Sequence, residues 1–223
     1  MNQEIVWMLN EKYGGVLTDK AKKDITRLEK GLPPHQTKFG CGGEPVDYVI
    51  GYKKFLGCKI DLRYKPLIPR DETEFWVNKA IEAEKPTPEV GKLPDLGGRL
   101  VLDVFAGSGC CGIAILKNIP KSRCDFVDIE DNCLKQIRLN LKLNGIAQKR
   151  YRIIKSNVFE KLLISDVNSK YDVILANPPY VGLNEKNKVQ KSVLNFEPKQ
   201  ALFAKNNGLF FIKKFLSQAK NYL

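Results

Sequence analysis

The sequence predicts an α/β fold with a parallel sheet, and three observations support that prediction. A buried-strand pattern at residues 99–105 runs into a glycine-rich turn at residues 106–109 and then into a helical run at residues 113–116. Strand, glycine turn and helix form the first unit of a nucleotide-binding α/β fold. Further apolar strands alternate with helical stretches, which is typical of strands that lie parallel. The last strand, residues 173–176, stops at two adjacent prolines, because proline cannot donate to a sheet ladder.

The part of the chain before this sheet predicts short helices and one hairpin. Apolar residues at helical spacing indicate a short helix around residues 5–9 and a second over residues 21–30. Two short strands around Gly57 predict a hairpin between residues 52 and 65. A helical face then predicts a longer helix over residues 72–84.

These elements predict three parts of the chain. Residues 1–42 form a short N-terminal helical segment, residues 43–84 a hairpin and linker helix, and residues 99–223 the parallel-sheet domain. Proline and glycine are frequent at residues 31–43 and 85–98, so we expect a connector and a surface loop there.

Polar residues follow the predicted strands of the sheet domain. The second strand, residues 124–127, ends at Asp128, which lies at a suitable distance after the glycine turn to bind ribose hydroxyls. A helix is predicted over residues 130–144, with an apolar stripe on one face. The third strand, residues 151–155, runs into Ser-Asn-Val-Phe at residues 156–159.

The fourth strand ends in the stiff tetrapeptide Asn177-Pro178-Pro179-Tyr180. Each proline fixes its own φ, and Pro179 also holds Pro178 in an extended conformation. The Asn177 side-chain oxygen and the Pro178 carbonyl can therefore converge on one point, and two fixed acceptors suit a planar –NH2 group. The tetrapeptide predicts chemistry on an amide or aromatic amine nitrogen, and a strand followed by a plain Pro-Pro turn is the alternative.

The charge of the chain does not by itself indicate a nucleic-acid partner. The 223 residues carry a formal net charge of +12, but only eight of the 37 basic residues are arginine and the rest are lysine. Base-specific and bidentate phosphate contacts favour arginine. A scattered lysine-rich surface is the simpler interpretation.

The cysteines and the apolar runs indicate where the protein works. The six cysteines show no C-x-x-C spacing, so we expect reduced thiols, with neither a metal site nor a disulfide framework. Cys110 and Cys111 are interpreted as small packing residues. No apolar run reaches the length that spans a bilayer, and the start of the chain lacks the apolar core of a secretory signal. We therefore expect a cytoplasmic protein with no membrane partner.

Several of these segments together resemble a known family. Asp103-Val-Phe-Ala-Gly-Ser-Gly109, Asp128, Asn157-Val-Phe and the Asn-Pro-Pro-Tyr tetrapeptide are similar to class I S-adenosylmethionine-dependent methyltransferases. Three further segments resemble the HemK/PrmC family, which methylates glutamine in peptide-chain release factors. They are Gly-Glu-Pro-Val-Asp-Tyr-Val-Ile-Gly at residues 43–51, Leu-Ile-Pro-Arg-Asp-Glu-Thr-Glu at residues 67–74, and Glu-Pro-Lys-Gln-Ala-Leu-Phe at residues 197–203 with Gly208-Leu209.

The resemblance implies a Rossmann-like sheet with strand order 3-2-1-4 and S-adenosyl-L-methionine as the cofactor. The reaction would be methylation of the glutamine side-chain amide in the Gly-Gly-Gln loop of a release factor. That release factor would be the partner, and the positive net charge of the chain would add a weak attraction to ribosomal RNA near it. Under this resemblance the cofactor-binding residues are Asp103, Phe105, Ala106, Gly107, Ser108, Gly109, Asp128, Asn157, Val158 and Asn177. The tetrapeptide Asn177, Pro178, Pro179 and Tyr180 would be catalytic, and Arg70 and Glu72 would join it in binding the substrate.

The resemblance also assigns roles within that site. Asp128 would hold the ribose, Val158 would flank the adenine, and the Phe105 loop would run beside the methionine portion. Asp103 would shape the loop or contact the amine, and Tyr180 would pack on the substrate amide. For the charged residues around Arg70, the alternative is a solvated first turn of a helix.

The chain departs from the family pattern at several positions. Phe105 and Ala106 stand where the family has glycine and threonine, Asp71 replaces a proline, and Asn157 replaces an acidic residue. The chain ends at Leu223, in what resembles the helix after the fourth strand, whereas family members continue with three more strands. We therefore expect a C-terminally truncated domain with an unpaired strand edge.

Two other functions remain open at this point. The same four-residue site could serve an amino methyltransferase acting on adenine or cytosine in DNA or RNA, because those bases also present a planar –NH2. A truncated fold could instead be an inactive cofactor-binding remnant.

Overall fold

The computed structural model describes residues 3–29, 43–83, 98–162 and 170–223. The predicted connector and surface loop, at residues 31–43 and 85–98, lie outside the described residues apart from Gly43 and Gly98, and so does Cys41. No helix among the described residues is both long enough and apolar enough to cross a membrane.

The described N-terminal part is a small cluster of three helices: α1 (Gln3–Tyr13), α2 (Asp19–Glu29) and α3 (Val46–Ile50). Ile5, Met8 and Leu9 are buried in it together with Ala21 and Leu28, so the two predicted helices are confirmed. The sequence analysis did not predict α3. This helix is only five residues long, and it begins after a proline and ends at a glycine with φ 93°, so no helical period can develop in the sequence.

A hairpin and a longer helix follow as predicted. Strands β1 (Tyr52–Phe55) and β2 (Cys58–Asp61) pair antiparallel, and helix α4 spans Asp71–Ala83. Phe55 and Ile60 from the hairpin and Val77 and Ile81 from α4 are almost fully buried. They belong to the same hydrophobic cluster as Ile113 of the following domain, so the hairpin packs on the sheet domain rather than standing apart.

Four parallel strands form the central sheet: β3 (Leu100–Val104), β4 (Arg123–Asp128), β5 (Tyr151–Lys155) and β6 (Val173–Ala176). Their spatial order is β5-β4-β3-β6, which confirms the α/β fold and the strand order 3-2-1-4. Helices α5 (Cys110–Asn118) and α6 (Asp131–Leu143) cover one face. Successive residues of β3 alternate between the faces, since Val101 packs with α5 and Leu102 packs in the cluster on the opposite face.

The chain after β6 continues past the tetrapeptide into short strands and two helices. It forms β7 (Val181–Gly182), helix α7 (Lys191–Phe196), β8 (Phe203–Ala204) and helix α8 (Phe210–Ala219). Strands β7 and β8 pair parallel over two residues each, and the sequence analysis missed them because two residues carry no period. Helix α8 covers the second face of the sheet through Phe211 and Phe215.

Candidate active site

The carboxyl ends of the sheet strands surround a cavity of about 410 Å³, which is where open α/β sheets bind ligands. Ten of the predicted site residues line this cavity: Asp103, Phe105, Ala106, Gly107, Ser108, Asp128, Asn157, Val158, Asn177 and Pro179. The predicted residues Gly109, Pro178, Tyr180, Arg70 and Glu72 are not among its lining residues. The structure therefore brings together the residues at the strand ends but not all those assigned to the substrate.

The loop after β3 is held by its own backbone. Phe105, Gly107 and Gly109 all have positive φ, at 59°, 56° and 79°. The Ala106 N–H donates to the Val127 carbonyl at 3.0 Å, and the Gly109 N–H donates to the Ala106 carbonyl at 2.7 Å. These bonds fix a tight turn whose backbone faces the cavity.

Phe105 occupies a backbone conformation that suits glycine. A left-handed φ costs a non-glycine residue about 1–2 kcal/mol, and this is the position where the resembled family has glycine. The Phe105 ring makes an edge contact with Phe211 of α8, with ring centroids 5.7 Å apart. Such aromatic pairs contribute about 0.5–1.5 kcal/mol beyond the buried area, so the contact offsets much of the backbone strain.

Asp128, at the end of β4, is 9% exposed and anchors both neighbouring loops. One carboxylate oxygen accepts the Gly107 N–H at 2.8 Å, and the other accepts the Glu130 N–H at 2.9 Å. Burial raises the pKa of this carboxyl, while the two backbone donors lower it. Each oxygen can accept a further hydrogen, so the carboxylate can still bind a vicinal diol from the cavity side.

Asp103 supports the loop from behind. Its side chain is buried, and one oxygen accepts the Gly112 N–H in the first turn of α5 at 2.9 Å. Burial raises the pKa of Asp103 to about 7; the Gly112 N–H lowers it and the Asp128 charge raises it further. Asp103 also lines the cavity, so its protonation changes the charge at the site near neutral pH.

The segment after β5 forms the wall next to Asp128. Val158 is buried and has a φ of 59°. The Ser156 N–H donates to the Asp128 carbonyl at 3.0 Å, which ties the ends of β4 and β5 together. The Asn157 amide donates to Glu160 at 2.8 Å. This wall is apolar at Val158 and polar at Asn157.

Asn177 follows β6 and lies on the opposite wall. Its Nδ2 donates to the Thr73 Oγ1 at 3.4 Å, and the sequence analysis did not single out Thr73. Pro179 is buried and lines the cavity, whereas Tyr180 is 61% exposed. Tyr180 is thus the exposed residue at the end of the tetrapeptide.

The segment before α4 is hydrogen-bonded to a buried carboxylate. Glu197, whose side chain is 1% exposed, accepts the Arg70 guanidinium at 2.6 Å and the Ile68 N–H at 3.0 Å. Arg70 is therefore bonded to Glu197 instead of lining the cavity. Glu72 is exposed, which agrees with the alternative of a solvated first turn of α4. Glu74 instead accepts the Leu56 N–H at 2.9 Å.

Two walls of the cavity were missed by the sequence analysis. Leu67, Ile68, Pro69 and Thr73 form one, and Phe210 and Phe211 of α8 contribute to the other. The first wall had a signal, because residues 67–74 belong to a segment that resembles a family motif. The aromatic residues of α8 had none, since an apolar helix face is most simply interpreted as core.

The family of the chain follows from comparison with known proteins. Residues 90–220, more than half of the chain, match the family described as "Methyltransferase small domain". The chain belongs to this family. The parallel sheet and the glycine-turn cavity are thus those of a methyltransferase fold.

Curated relatives of the chain share one printed name. "Release factor glutamine methyltransferase" of Flavobacterium psychrophilum is 33% identical over 181 residues, covering 81% of this chain and 59% of that protein. The protein of the same name from Rhodopirellula baltica is 33% identical, covering 79% and 57%, and that of Thermodesulfovibrio yellowstonii is 34% identical, covering 81% and 60%. The chain therefore spans less than two thirds of the length of these relatives.

Solved structures share the fold at lower identity. The hMettl16 catalytic domain, in complex with a MAT2A 3'UTR hairpin, superposes with a TM-score of 0.52 at 19% identity, covering 74% of this chain and 58% of that chain. At this identity the likeness concerns the fold alone.

Proposed function

We propose that this chain carries the site for S-adenosylmethionine-dependent methylation of a glutamine side-chain amide, within the Gly-Gly-Gln loop of a peptide-chain release factor. The observation that carries the proposal is that Asn177, at the end of β6, and Asp128, at the end of β4, line one cavity. One wall suits a planar –NH2 group and the other suits a ribose. The names of the relatives support the substrate class.

The residues of the cavity fit the cofactor. Asp128 would bind the ribose diol with the lone pairs that the backbone leaves free. The buried Val158 would flank the adenine, and Asn157 would bind its polar edge. The loop that begins at Phe105 and contains Gly107 would lie along the methionine portion, with Asp103 beside the amine.

The chemistry requires a poor nucleophile to be oriented. S-adenosylmethionine supplies a methyl group on a positively charged sulfur, which is a strong electrophile. The nitrogen of a glutamine amide is a weak nucleophile, because its lone pair is delocalised into the carbonyl. Asn177 Oδ1 and the Pro178 carbonyl would each accept one amide hydrogen, which turns the nitrogen toward the methyl and favours positive charge there. The S–CH3 bond would break as the N–CH3 bond forms, the cofactor would leave as its neutral thioether, and the methylated nitrogen would release one proton to solvent. This is catalysis by positioning and electrostatics.

The remaining predicted residues act around that centre. Tyr180 would close on the substrate amide from its exposed position. Arg70, held by Glu197, would shape the entrance, and Glu72 would contact the release factor from the surface of α4. The scattered lysines would add a weak attraction to ribosomal RNA. Of the three parts expected from the sequence, the N-terminal helices would face the partner and the parallel-sheet domain would bind the cofactor. The hairpin and linker helix lie between these two parts in the sequence.

The experiment is transfer of labelled methyl from the cofactor to a purified release factor. We expect labelling that disappears when the glutamine of the Gly-Gly-Gln loop is replaced by alanine in the release factor. Labelling of DNA or ribosomal RNA, with none on the release factor, would overturn the proposal in favour of an amino methyltransferase for bases.

Two variants separate the two walls. Asp128→Ala should weaken cofactor binding by about 1.5–3 kcal/mol, as expected for a lost charged hydrogen bond. Asn177→Asp keeps the shape but adds a charge, and it should lower transfer by about 10²-fold with cofactor affinity largely kept. Calorimetry measures cofactor affinity and methyl incorporation measures transfer. An unchanged cofactor affinity in Asp128→Ala would remove Asp128 from the site.

A further inference from the structure

The amide of Asn177 has an orientation that its backbone does not decide. The two prolines after it fix the chain direction, but the terminal torsion of an asparagine is broad and roughly two-fold. One orientation turns the oxygen to the cavity and the other turns the –NH2 group there. A substrate –NH2 needs the oxygen, because two donors facing each other cannot bond. Some neighbour must therefore select the orientation.

Thr73 contacts this amide in the arrangement that leaves the amide oxygen for the substrate. It lies in the first turn of α4 and is 5% exposed, and its Oγ1 is 3.4 Å from the Nδ2 of Asn177. Both residues line the cavity. Among the described residues, Thr73 is the side chain that the structure records in hydrogen-bond contact with this amide. With Nδ2 bonded to Thr73, Oδ1 is left for the substrate.

The segment just before Thr73 is held by two hydrogen bonds to Glu197. The two oxygens of Glu197 bind the Ile68 N–H and the Arg70 guanidinium, which flank Pro69 in the segment that leads into α4. Glu197 directly follows α7, in the stretch of chain after the tetrapeptide. Because this carboxylate is buried and bonded to both groups, it ties the segment that leads into α4 to the chain that follows α7.

We propose that Thr73 is a positioning residue, whose hydroxyl accepts a hydrogen from Asn177 Nδ2 and thereby presents Asn177 Oδ1 to the acceptor nitrogen, with Glu197 holding Thr73 at that distance. The inference rests on the proposed function, because it assigns the role to the same –NH2 site. It gives a reason for the contact between the acceptor wall and a residue that lies 104 positions before Asn177 in the sequence.

The test compares Thr73→Val, which keeps the shape and removes the hydroxyl, with Thr73→Ser, which keeps the hydroxyl. We expect Thr73→Val to lower kcat for transfer to the release factor by roughly tenfold or more, with cofactor affinity by calorimetry unchanged. Thr73→Ser should restore most of kcat. The control is Ser217→Ala on α8, an exposed residue outside the cavity whose hydroxyl bonds the Lys214 carbonyl, and it should leave kcat unchanged.

A second readout does not depend on the substrate. In a ¹⁵N-labelled chain, the Asn177 side-chain amide resonance is identified by its loss in Asn177→Asp. The chemical shift of this resonance should change in Thr73→Val and, by a smaller amount, in Glu197→Gln. In Thr73→Ser it should return toward the wild-type position. If the chain labels no release factor but this resonance responds, the proposed function fails while the contact stands. Wild-type kcat in Thr73→Val, equal losses in Thr73→Val and Thr73→Ser, or an unmoved resonance would each overturn the inference.

Discussion

At the scale of single residues, the site depends on carboxylates that the fold buries. Asp103 and Asp128 end neighbouring strands, and both have their pKa raised by burial. Backbone N–H groups of the glycine turn and of α5 compensate part of that cost. The same two side chains thus hold the loop in shape and set the charge that a ligand meets.

Asp103 gives the stability of the protein a specific pH dependence. Its pKa is about 7 in the folded chain against an ordinary value of 3.8, so between these values the folded state keeps a proton that the unfolded state has released. The contribution of Asp103 to the free energy of unfolding should therefore fall as pH rises from about 4 to 7, by at most about 1.4 kcal/mol per pH unit, and level off above 7.

Urea unfolding of the wild type and Asp103→Asn across this range measures that contribution as the difference between the two proteins. Asp131→Asn is the control, because Lys155 lowers the pKa of the exposed Asp131. The stability that Asp131 contributes is therefore lost only as pH falls below the ordinary pKa of an aspartate. A difference between the wild type and Asp103→Asn that stays constant from pH 4 to 7 would show that Asp103 is ionised throughout.

At the scale of elements, the turn between β8 and α8 supports the tetrapeptide. Asn206, Asn207 and Gly208 all have positive φ, at 55°, 52° and 86°, so the backbone coils left-handed there. A Cβ on Gly208 would lie 2.1 Å from the Tyr180 carbonyl oxygen. The parallel pairing of β7 with β8 brings these two backbones together. This contact gives a physical reason for a glycine at this position.

Gly208→Ala should therefore disturb both stability and transfer. The new methyl group must displace the backbone of Tyr180, so we expect a loss of unfolding free energy larger than the about 1–2 kcal/mol of a left-handed alanine, together with a fall in kcat. Gly145→Ala is the matched control, because its φ is 69° and nothing lies within 4 Å of its Cβ position. Denaturant unfolding and methyl transfer compare the pair, and equal effects would mean that the close approach to Tyr180 is unimportant.

At the scale of the whole molecule, the sheet described here has an unpaired edge. Within the described residues, β6 pairs with β3 and with no other strand. The Asp172 N–H donates to the Leu100 carbonyl at 2.9 Å. Since N–H directions alternate along a strand, the N–H of Val173 points outward. An open edge with apolar flanks is a template for pairing with another chain.

We therefore expect this 223-residue chain to associate as its concentration rises. Val173→Pro removes one outward donor and leaves the hydrogen bonds to β3 intact, so it should weaken association without abolishing folding. Sedimentation of the wild type and the variant over a range of concentrations, with circular dichroism as the check on folding, measures this. A wild-type chain that stays monomeric at every concentration would show that the edge is protected.

The sequence by itself determined the elements and the ligand-facing loops of this protein. Strand, glycine turn and helix are local patterns, so β3, α5 and the position of Asp128 could be predicted from short windows of residues. The end of β6 could be predicted too, because two prolines stop a strand in any context. The order of the strands followed from the family resemblance and not from any single pattern.

Only the tertiary structure decided which side chains meet. Arg70 was predicted at the substrate, and only the fold shows that its guanidinium is held by Glu197, 127 residues later. Thr73 belongs to a segment that resembles a family motif, but nothing in the sequence indicated its own role until the fold placed it beside Asn177. Helix α3 and the β7–β8 pair are too short to show a period. Contacts of this kind depend on how distant segments pack, and no local preference in the sequence encodes the distance between them.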